Sequence, residues 1–286
     1  MGLFESALEG IVASAQERMQ QEPGHEHDFI GEDGLLYCGT CKAARQMVLE
    51  VPMIGTRVVP IMCPCDIARR ESEAAYKAIQ EEQRRIDGMR KIGITSPDYR
   101  EMTLAADDGS NPEMRAIVDR YIEKRDLMRR ENIGLLLHGG VGGGKTFWAA
   151  ALANAMIDHG SSAMITTVPR LVTAMSQGFE EGKARILEQV ERVQFLVLDD
   201  VGIERQTEYM AEKMFEIIDS RYRSRRPLIV TTNLTLEEIS NPRQMEYKRV
   251  FDRIVEMCQP IHVSGEGRRK AIARQKSEKA REILGI

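Results

Sequence analysis

The sequence predicts an α/β fold in two parts: a parallel sheet flanked by helices, preceded by a small cysteine-rich domain. Three observations carry this. From Ile133 onward, short apolar runs alternate with helical segments. One junction, Gly139–Thr146, is a glycine-rich loop between such a run and a helix. Four of the five cysteines fall between residues 35 and 65, where glycine and proline break the chain into short strand-like pieces. The expected domains are 1–95 and 96–286.

The elements follow in chain order. Residues 3–20 read as a short amphipathic helix, with Leu3, Phe4, Leu8, Ile11 and Val12 on one side. Asp66 to about Lys91 is a charged helix whose mixed signs suit a solvated surface. A turn-rich link, 93–112, leads to a helix over Pro112–Glu131. The apolar runs Ile133–His138, Ala163–Val168, Phe195–Leu198, Leu228–Thr232 and Ile261–Val263 are then expected as strands. Alternation of strand and helix predicts a parallel sheet covered on both faces.

Composition limits the function. With 40 basic and 44 acidic side chains the formal net charge is −4, so the whole chain is not a generic polyanion binder. No apolar run approaches the ~18 residues that span a bilayer, and the N-terminus lacks a secretory signal. Met1-Gly2-Leu3-Phe4-Glu5-Ser6 fits the loose myristoylation pattern, which short sequences meet by chance. An odd number of cysteines without an export signal predicts a reducing cytoplasm and thiolate chemistry.

Gly139-Gly140-Val141-Gly142-Gly143-Gly144-Lys145-Thr146 matches G-x-x-x-x-G-K-[ST]. A buried strand runs in, and a helix beginning at Phe147 runs out. Glycines let backbone N–H groups close around phosphates, and the helix N-terminus adds partial positive charge. ATP is therefore the expected ligand of Gly139, Gly140, Val141, Gly142, Gly143, Gly144, Lys145, Thr146 and Phe147. Lys145 is expected on the β- and γ-phosphates, and Thr146 on Mg²⁺. In Phe195-Leu196-Val197-Leu198-Asp199-Asp200, two carboxylates leave the C-terminal end of a central strand, where ligands of open α/β sheets bind. Asp199 is expected to hold the Mg²⁺ hydration shell, and Asp200 to orient and deprotonate the attacking water. Together these make the chain an ATPase.

From Ile133 to the C-terminus the motif order resembles the AAA+ ATPases of the DnaC/DnaI-like helicase-loader type. The resemblance rests on Gly134–Gly139 leading into the loop, on Leu196–Gly202, on Ile217–Tyr222 followed by Arg226–Leu234, on Arg249–Ile254, and on Gly265–Lys270. It implies that Asn233 is the sensor-1 residue, holding the attacking water or the γ-phosphate. It implies that Arg253 is an arginine finger entering a neighbouring subunit's site, with Arg249 one turn earlier as the competing candidate. A homo-oligomer follows. Arg269 is the sensor-2 choice beside Arg268, which stands where the family often has Tyr.

The cysteines add a second site. Cys38-Gly39-Thr40-Cys41 and Cys63-Pro64-Cys65 form two close pairs that can supply four thiolates to one Zn²⁺. His25 and His27 are spare ligands. A redox C-x-x-C is the rival, but the region lacks the βαβ context that chemistry wants. A cysteine-rich module ahead of this ATPase type is similar to phage and Gram-positive loaders, which implies docking of the N-terminal domain onto a replicative DNA helicase.

The function this implies is ATP-dependent loading of a replicative helicase onto single-stranded DNA, with ATP binding and hydrolysis as an assembly and release switch. Two basic clusters are candidate DNA contacts: Arg268, Arg269, Lys270, Arg274, Lys276, Lys279 and Arg281, and separately Arg221, Arg223, Arg225 and Arg226. Solvated helix faces explain them as well. The alternative function is that of an IstB-like transposition helper ATPase acting on duplex DNA, whose motifs are closely similar.

Overall fold

The computed structural model describes residues 27–51, 55–177, 179–202, 207–242, 244–265 and 268–285. The helix expected at 3–20 and the spare ligand His25 lie outside the described residues. The chain divides into two compact units, Met1–Gln83 and Arg84–Ile286.

In the first unit, β1 (Phe29–Ile30) pairs antiparallel with β2 (Leu36–Tyr37), and β3 (Gln46–Val51) with β4 (Gly55–Pro60). The β3–β4 register runs from Gln46 opposite Pro60 to Val51 opposite Gly55. Such short hairpins bury little apolar surface. Polar anchors take its place. Arg45, 6% exposed, pairs with Asp28 and, at 3.1 Å, with the buried Asp66. A further bond runs from the Gly39 N–H to Asp28 at 2.9 Å.

Helix α1 (Pro64–Gly93) begins in this unit and ends in the second. Pro64 sits at its start, where a missing N–H costs nothing. Almost every residue between Arg70 and Arg85 is exposed, as its charge pattern predicts.

The second unit is built on five parallel strands: β5 (Gly134–His138), β6 (Ala163–Thr166), β7 (Phe195–Leu198), β8 (Leu228–Thr232) and β9 (Cys258–His262). Their order across the sheet is β6-β7-β8-β5-β9. Strand side chains alternate between two cores. Leu136, Leu196, Leu198 and Val230 face α6 (Val168–Ser176), α7 (Phe179–Arg192), α8 (Glu208–Arg223) and α10 (Met245–Met257). Leu135, Leu137, Val197 and Ile229 face α3 (Pro112–Glu123) and α5 (Lys145–Asp158). Helix α5 is buried from Phe147 to Ile157, and its five alanines admit close packing on the sheet.

Four boundaries differ from the sequence reading. The helix expected over Pro112–Glu131 is two, α3 and α4 (Arg125–Arg130), broken at Lys124. The link contains α2 (Pro97–Glu101) and a 3₁₀ turn at Leu104–Ala106. Val168 opens α6 rather than closing β6, because Pro169 suits the first turn of a helix. Cys258, which directly follows the helical pattern around Arg253, is the first residue of β9. Pro260, two residues on, cannot donate to a helix and is tolerated on an edge strand. Between α9 (Leu236–Ser240) and the C-terminal α11 (Arg268–Leu284), the arginine-bearing helix α10 returns the chain to this edge. Among the described residues, no helix is long and apolar enough to cross a membrane.

Candidate functional site

The phosphate loop leaves the C-terminal end of β5, at the centre-right of the sheet between β8 and β9. Two glycines are required by geometry. Gly139 has φ 141°, and a Cβ there would meet the Val263 carbonyl at 2.7 Å. Gly144, the N-cap of α5, has φ 89°. Both conformations are strained for any residue with a side chain. At Gly140 and Gly142 an added Cβ would meet nothing within 4 Å, so the loop faces open space.

That space is a cavity of about 580 Å³. Val141, Gly142, Gly144, Lys145, Thr146 and Phe147 line it from the loop and helix, and Asp200 and Asn233 from the strand ends. Asp98, Glu101 and Met102 of the link and Lys276 of α11 complete it. The link is thus a wall of the site, and Lys276, one of the candidate DNA contacts, also faces it.

Lys145 is 5% exposed. Its Nζ donates to the carbonyls of Gly139 (2.9 Å) and Gly140 (2.7 Å) and to Asn233 Oδ1 (2.8 Å). Asn233 and Lys145 therefore meet, although β8 and α5 are far apart in sequence. The ammonium is held at the mouth of an anion-shaped loop by neutral oxygens alone among these bonds, and phosphate oxygens are stronger acceptors for it.

The two carboxylates of the second motif are treated differently. Asp200 lines the cavity, with φ 56°, a left-handed conformation that Asp tolerates. Its N–H donates to Thr231 Oγ1 (2.8 Å), and the Val201 N–H to the Thr231 carbonyl (2.8 Å), which fixes the turn. Asp199 is 4% exposed. Thr231 Oγ1 donates to its Oδ1 (2.7 Å), and the Tyr99 hydroxyl to its Oδ2 (2.9 Å). Burial and then the Asp199 charge push the Tyr99 phenol well above its ordinary pKa, so it stays a donor. Tyr99 is held in turn by Asn154 of α5, whose Nδ2 donates to the carbonyls of Tyr99 (2.8 Å) and Met102 (3.0 Å).

Sequence reasoning missed Tyr99 and Asn154. Nothing local marks a tyrosine in a turn-rich link as a partner of a carboxylate 100 residues later. Thr231 had a signal: with Thr232 it puts hydroxyls at the end of an otherwise apolar strand.

The residues fit the groups the motifs imply. The cavity, the open glycine faces and a buried lysine suit a nucleoside triphosphate. The Thr146 hydroxyl and the Asp200 carboxylate line the cavity from its two sides, and the buried Asp199 next to Asp200 in sequence is not among the lining residues; all three are oxygen donors of the kind Mg²⁺ takes.

Arg253 does not line this cavity. Its guanidinium pairs with Asp219 and lies over the rings of Phe215 (4.5 Å) and Tyr222 (5.3 Å). Arg249, one turn earlier, is exposed on the same helix. Arg269 falls in α11, and its side chain lies outside what is described. Arg221 corrects the reading of its cluster as a DNA contact. It is 0% exposed and donates to the carbonyls of Val190, Val193, Gln194 and Pro227 at 2.6–3.2 Å. A side chain that seals a helix end inside the core cannot reach a phosphate backbone.

In the first unit, Cys38, Cys41, Cys63 and Cys65 converge, with all four sulfurs within 4.8 Å of one another. A tetrahedron of Zn–S bonds of ~2.3 Å needs such a cluster. Among the described residues His27 is not part of it. Backbone N–H groups, that of Ala43 foremost, lower the Cys41 thiol to about 6, while burial pushes Cys63 up to about 12. The Cys63 thiol donates to Asp66, which Arg45 also holds, so the thiols share their polar support with the buried ion pairs.

Comparison with known proteins agrees with this geometry. The family described as "IstB-like ATP binding protein" matches residues 120–278. The replicative helicase loader DnaI of Bacillus subtilis is 25% identical over 213 residues, 69% of this chain and 68% of that protein. The replicative helicase loader DnaC of Escherichia coli K12 is 30% identical over 139 residues, 47% of this chain and only 54% of its own length. A crystal structure of the DnaC helicase loader superposes with a TM-score of 0.50 at 24% identity, covering 59% of this chain and all of that one, a likeness of fold. With a phosphate loop and an acidic strand end on a parallel sheet in these positions, the chain belongs to the family of IstB-like ATP binding proteins and is a P-loop ATPase.

Proposed function

We propose that the chain loads a replicative DNA helicase onto single-stranded DNA, using ATP binding and hydrolysis as its assembly and release switch. The observation that carries this reading is the similarity to DnaI, which extends beyond the residues of the family match. The thiolate cluster ahead of the ATPase unit supports it, since a cysteine-held module offers a separate surface for a helicase.

In this reading Lys145 leaves its loop carbonyls for the β- and γ-phosphates, and the N–H groups of Gly140 to Thr146 wrap them. Thr146 and Asp199 hold the Mg²⁺ shell. When bound, Mg²⁺ spreads the charge that develops on the phosphate oxygens. Asp200 orients the attacking water and accepts its proton. Asn233 lies beside Lys145, within reach of the γ-phosphate. An arginine of α10, Arg253 or Arg249, completes a neighbouring subunit's site in a homo-oligomer, and Arg269 reports on the nucleotide as sensor 2. Cys38, Cys41, Cys63 and Cys65 hold Zn²⁺. The domains divide near residue 95, the N-terminal one binds the helicase, and the protein works in the cytoplasm.

The test is retention of purified replicative helicase by the immobilised full chain and by residues 1–95, with a transposase of the insertion-sequence type in parallel. Helicase retention by both is expected. Retention of transposase alone would replace the loader with the second reading, a transposition helper on duplex DNA, which the family description favours.

A further inference from the structure

Tyr99 stands outside every motif, yet it is bonded to Asp199, the buried carboxylate next to the cavity-lining Asp200. Asp199 is buried, and each of its oxygens already accepts one hydroxyl, Oδ1 from Thr231 at 2.7 Å and Oδ2 from Tyr99 at 2.9 Å. A carboxylate oxygen has about two acceptor sites. One on each oxygen is therefore left for water, and donors on both oxygens fix the plane in which those sites lie.

The two donors come from different places. Thr231 belongs to the neighbouring strand and moves only with the sheet. Tyr99 belongs to α2, a single turn in the link, and its position is set from outside the sheet. Asn154 of the phosphate-loop helix bonds the carbonyls of Tyr99 and Met102, and Arg100 Nε donates to the Ile94 carbonyl at 2.6 Å. The same turn supplies Asp98 and Glu101 to the cavity wall.

We propose that Tyr99 is a positioning residue for magnesium: its hydroxyl aims the Asp199 carboxylate at the water shell of the ion, and the link thereby tunes the metal dependence of the site. This rests on the reading of Asp199 as the carboxylate that holds the Mg²⁺ shell. Partners that orient a metal-site carboxylate are commonly worth about tenfold or more in metal affinity.

The experiment compares wild type, Tyr99→Phe, Tyr99→Leu and Asp199→Asn as full chains. Binding of a fluorescent ATP analogue is measured in EDTA and across a Mg²⁺ titration. Tyr99→Phe is expected to bind the analogue in EDTA within about twofold of wild type, and to need about tenfold more Mg²⁺ for half of the metal-dependent tightening. Tyr99→Leu should shift the titration no less. Asp199→Asn should abolish the tightening. If Asp199→Asn shifts the titration and Tyr99→Phe does not, the proposal falls while the role of Asp199 stands. If Asp199→Asn also titrates as wild type, the role of Asp199 falls first. A shift in Tyr99→Leu alone makes the ring a packing element, and loss of analogue binding in EDTA by Tyr99→Phe makes the hydroxyl a support of the nucleotide site independent of metal; either overturns the proposal.

Discussion

Asn233 accepts a 2.8 Å hydrogen bond from the Nζ of Lys145. The bond ties the end of β8 to the phosphate-loop helix and leaves the lysine supported from both sides of the cavity. Asn233→Ala removes one support but neither the loop nor the charge. ATP affinity should change by less than about fivefold, while turnover falls by about ten- to a hundredfold if the amide also orients the attacking water. Equilibrium binding and steady-state hydrolysis on one preparation separate the two effects. Lys145→Ala, by contrast, should lose both.

The two arginines of α10 should separate by stability. Arg253 is engaged by Asp219, Phe215 and Tyr222, so Arg253→Ala is expected to cost about 1–3 kcal/mol in urea unfolding. Arg249 is exposed, and Arg249→Ala should leave the melting temperature within about a degree. Each variant is then mixed with Lys145→Ala subunits. The residue that acts on a neighbour's site is the one whose mixtures regain hydrolysis above that of either variant alone.

Arg221→Met should be among the most damaging single changes in the ATPase unit. The side chain fills its volume, but the carbonyls of Val190, Val193, Gln194 and Pro227 lose their donor inside the core. A loss of at least about 3 kcal/mol is expected, read as a fall in the urea midpoint. Arg225→Ala, an exposed neighbour, should leave that midpoint in place. If the cluster touches DNA at all, only the latter variant will weaken binding to a single-stranded oligonucleotide without unfolding the chain.

Metal content should depend on the four sulfurs and on Arg45. Cys38→Ser is expected to leave less than stoichiometric zinc after dialysis, measured by atomic emission. Arg45→Met removes the buried cation that bridges Asp28 and Asp66 and leaves Asp66 with the more exposed Arg69 at 3.1 Å, a change worth up to about 3–5 kcal/mol for a buried pair. With so little apolar core, the unit should then release zinc to a weak chelator faster than wild type. Stoichiometric zinc in Cys38→Ser would remove that cysteine from the ligand set.

Four of the five strands were legible because they are short, nearly continuous apolar runs that alternate with helical segments, while β9, Cys-Gln-Pro-Ile-His, was read only from Ile261 onward because its first residues carry no apolar run. Leu196, Val197 and Leu198 place Asp199 and Asp200 at a strand end by pattern alone. The four cysteines were legible from spacing. What escaped were contacts between segments that share no local pattern. Arg221 looks like any basic residue on a helix, and only its neighbours in space reveal a buried cap. Pro260 argues against helix, yet the helical periodicity just before it carries past the true end at Met257. Tyr99 sits in a stretch whose turn residues predict loop, and its role depends on where that loop is laid down.

The order of strands across the sheet sets a schedule for synthesis. β5 carries the phosphate loop, but its two neighbours are β8 and β9, which leave the ribosome roughly 90 and 120 residues later at the spacing of the registered pairs. The carbonyl that backs Gly139 comes from Val263, and the Val263 N–H closes on His138 at 2.8 Å. A nascent chain released before that point has the nucleotide motif without the walls that shape it. The walls of the nucleotide site therefore come together only once β9 has been made, and tight ATP binding is expected to appear late in synthesis of the ATPase unit, after β9 rather than after the phosphate loop itself.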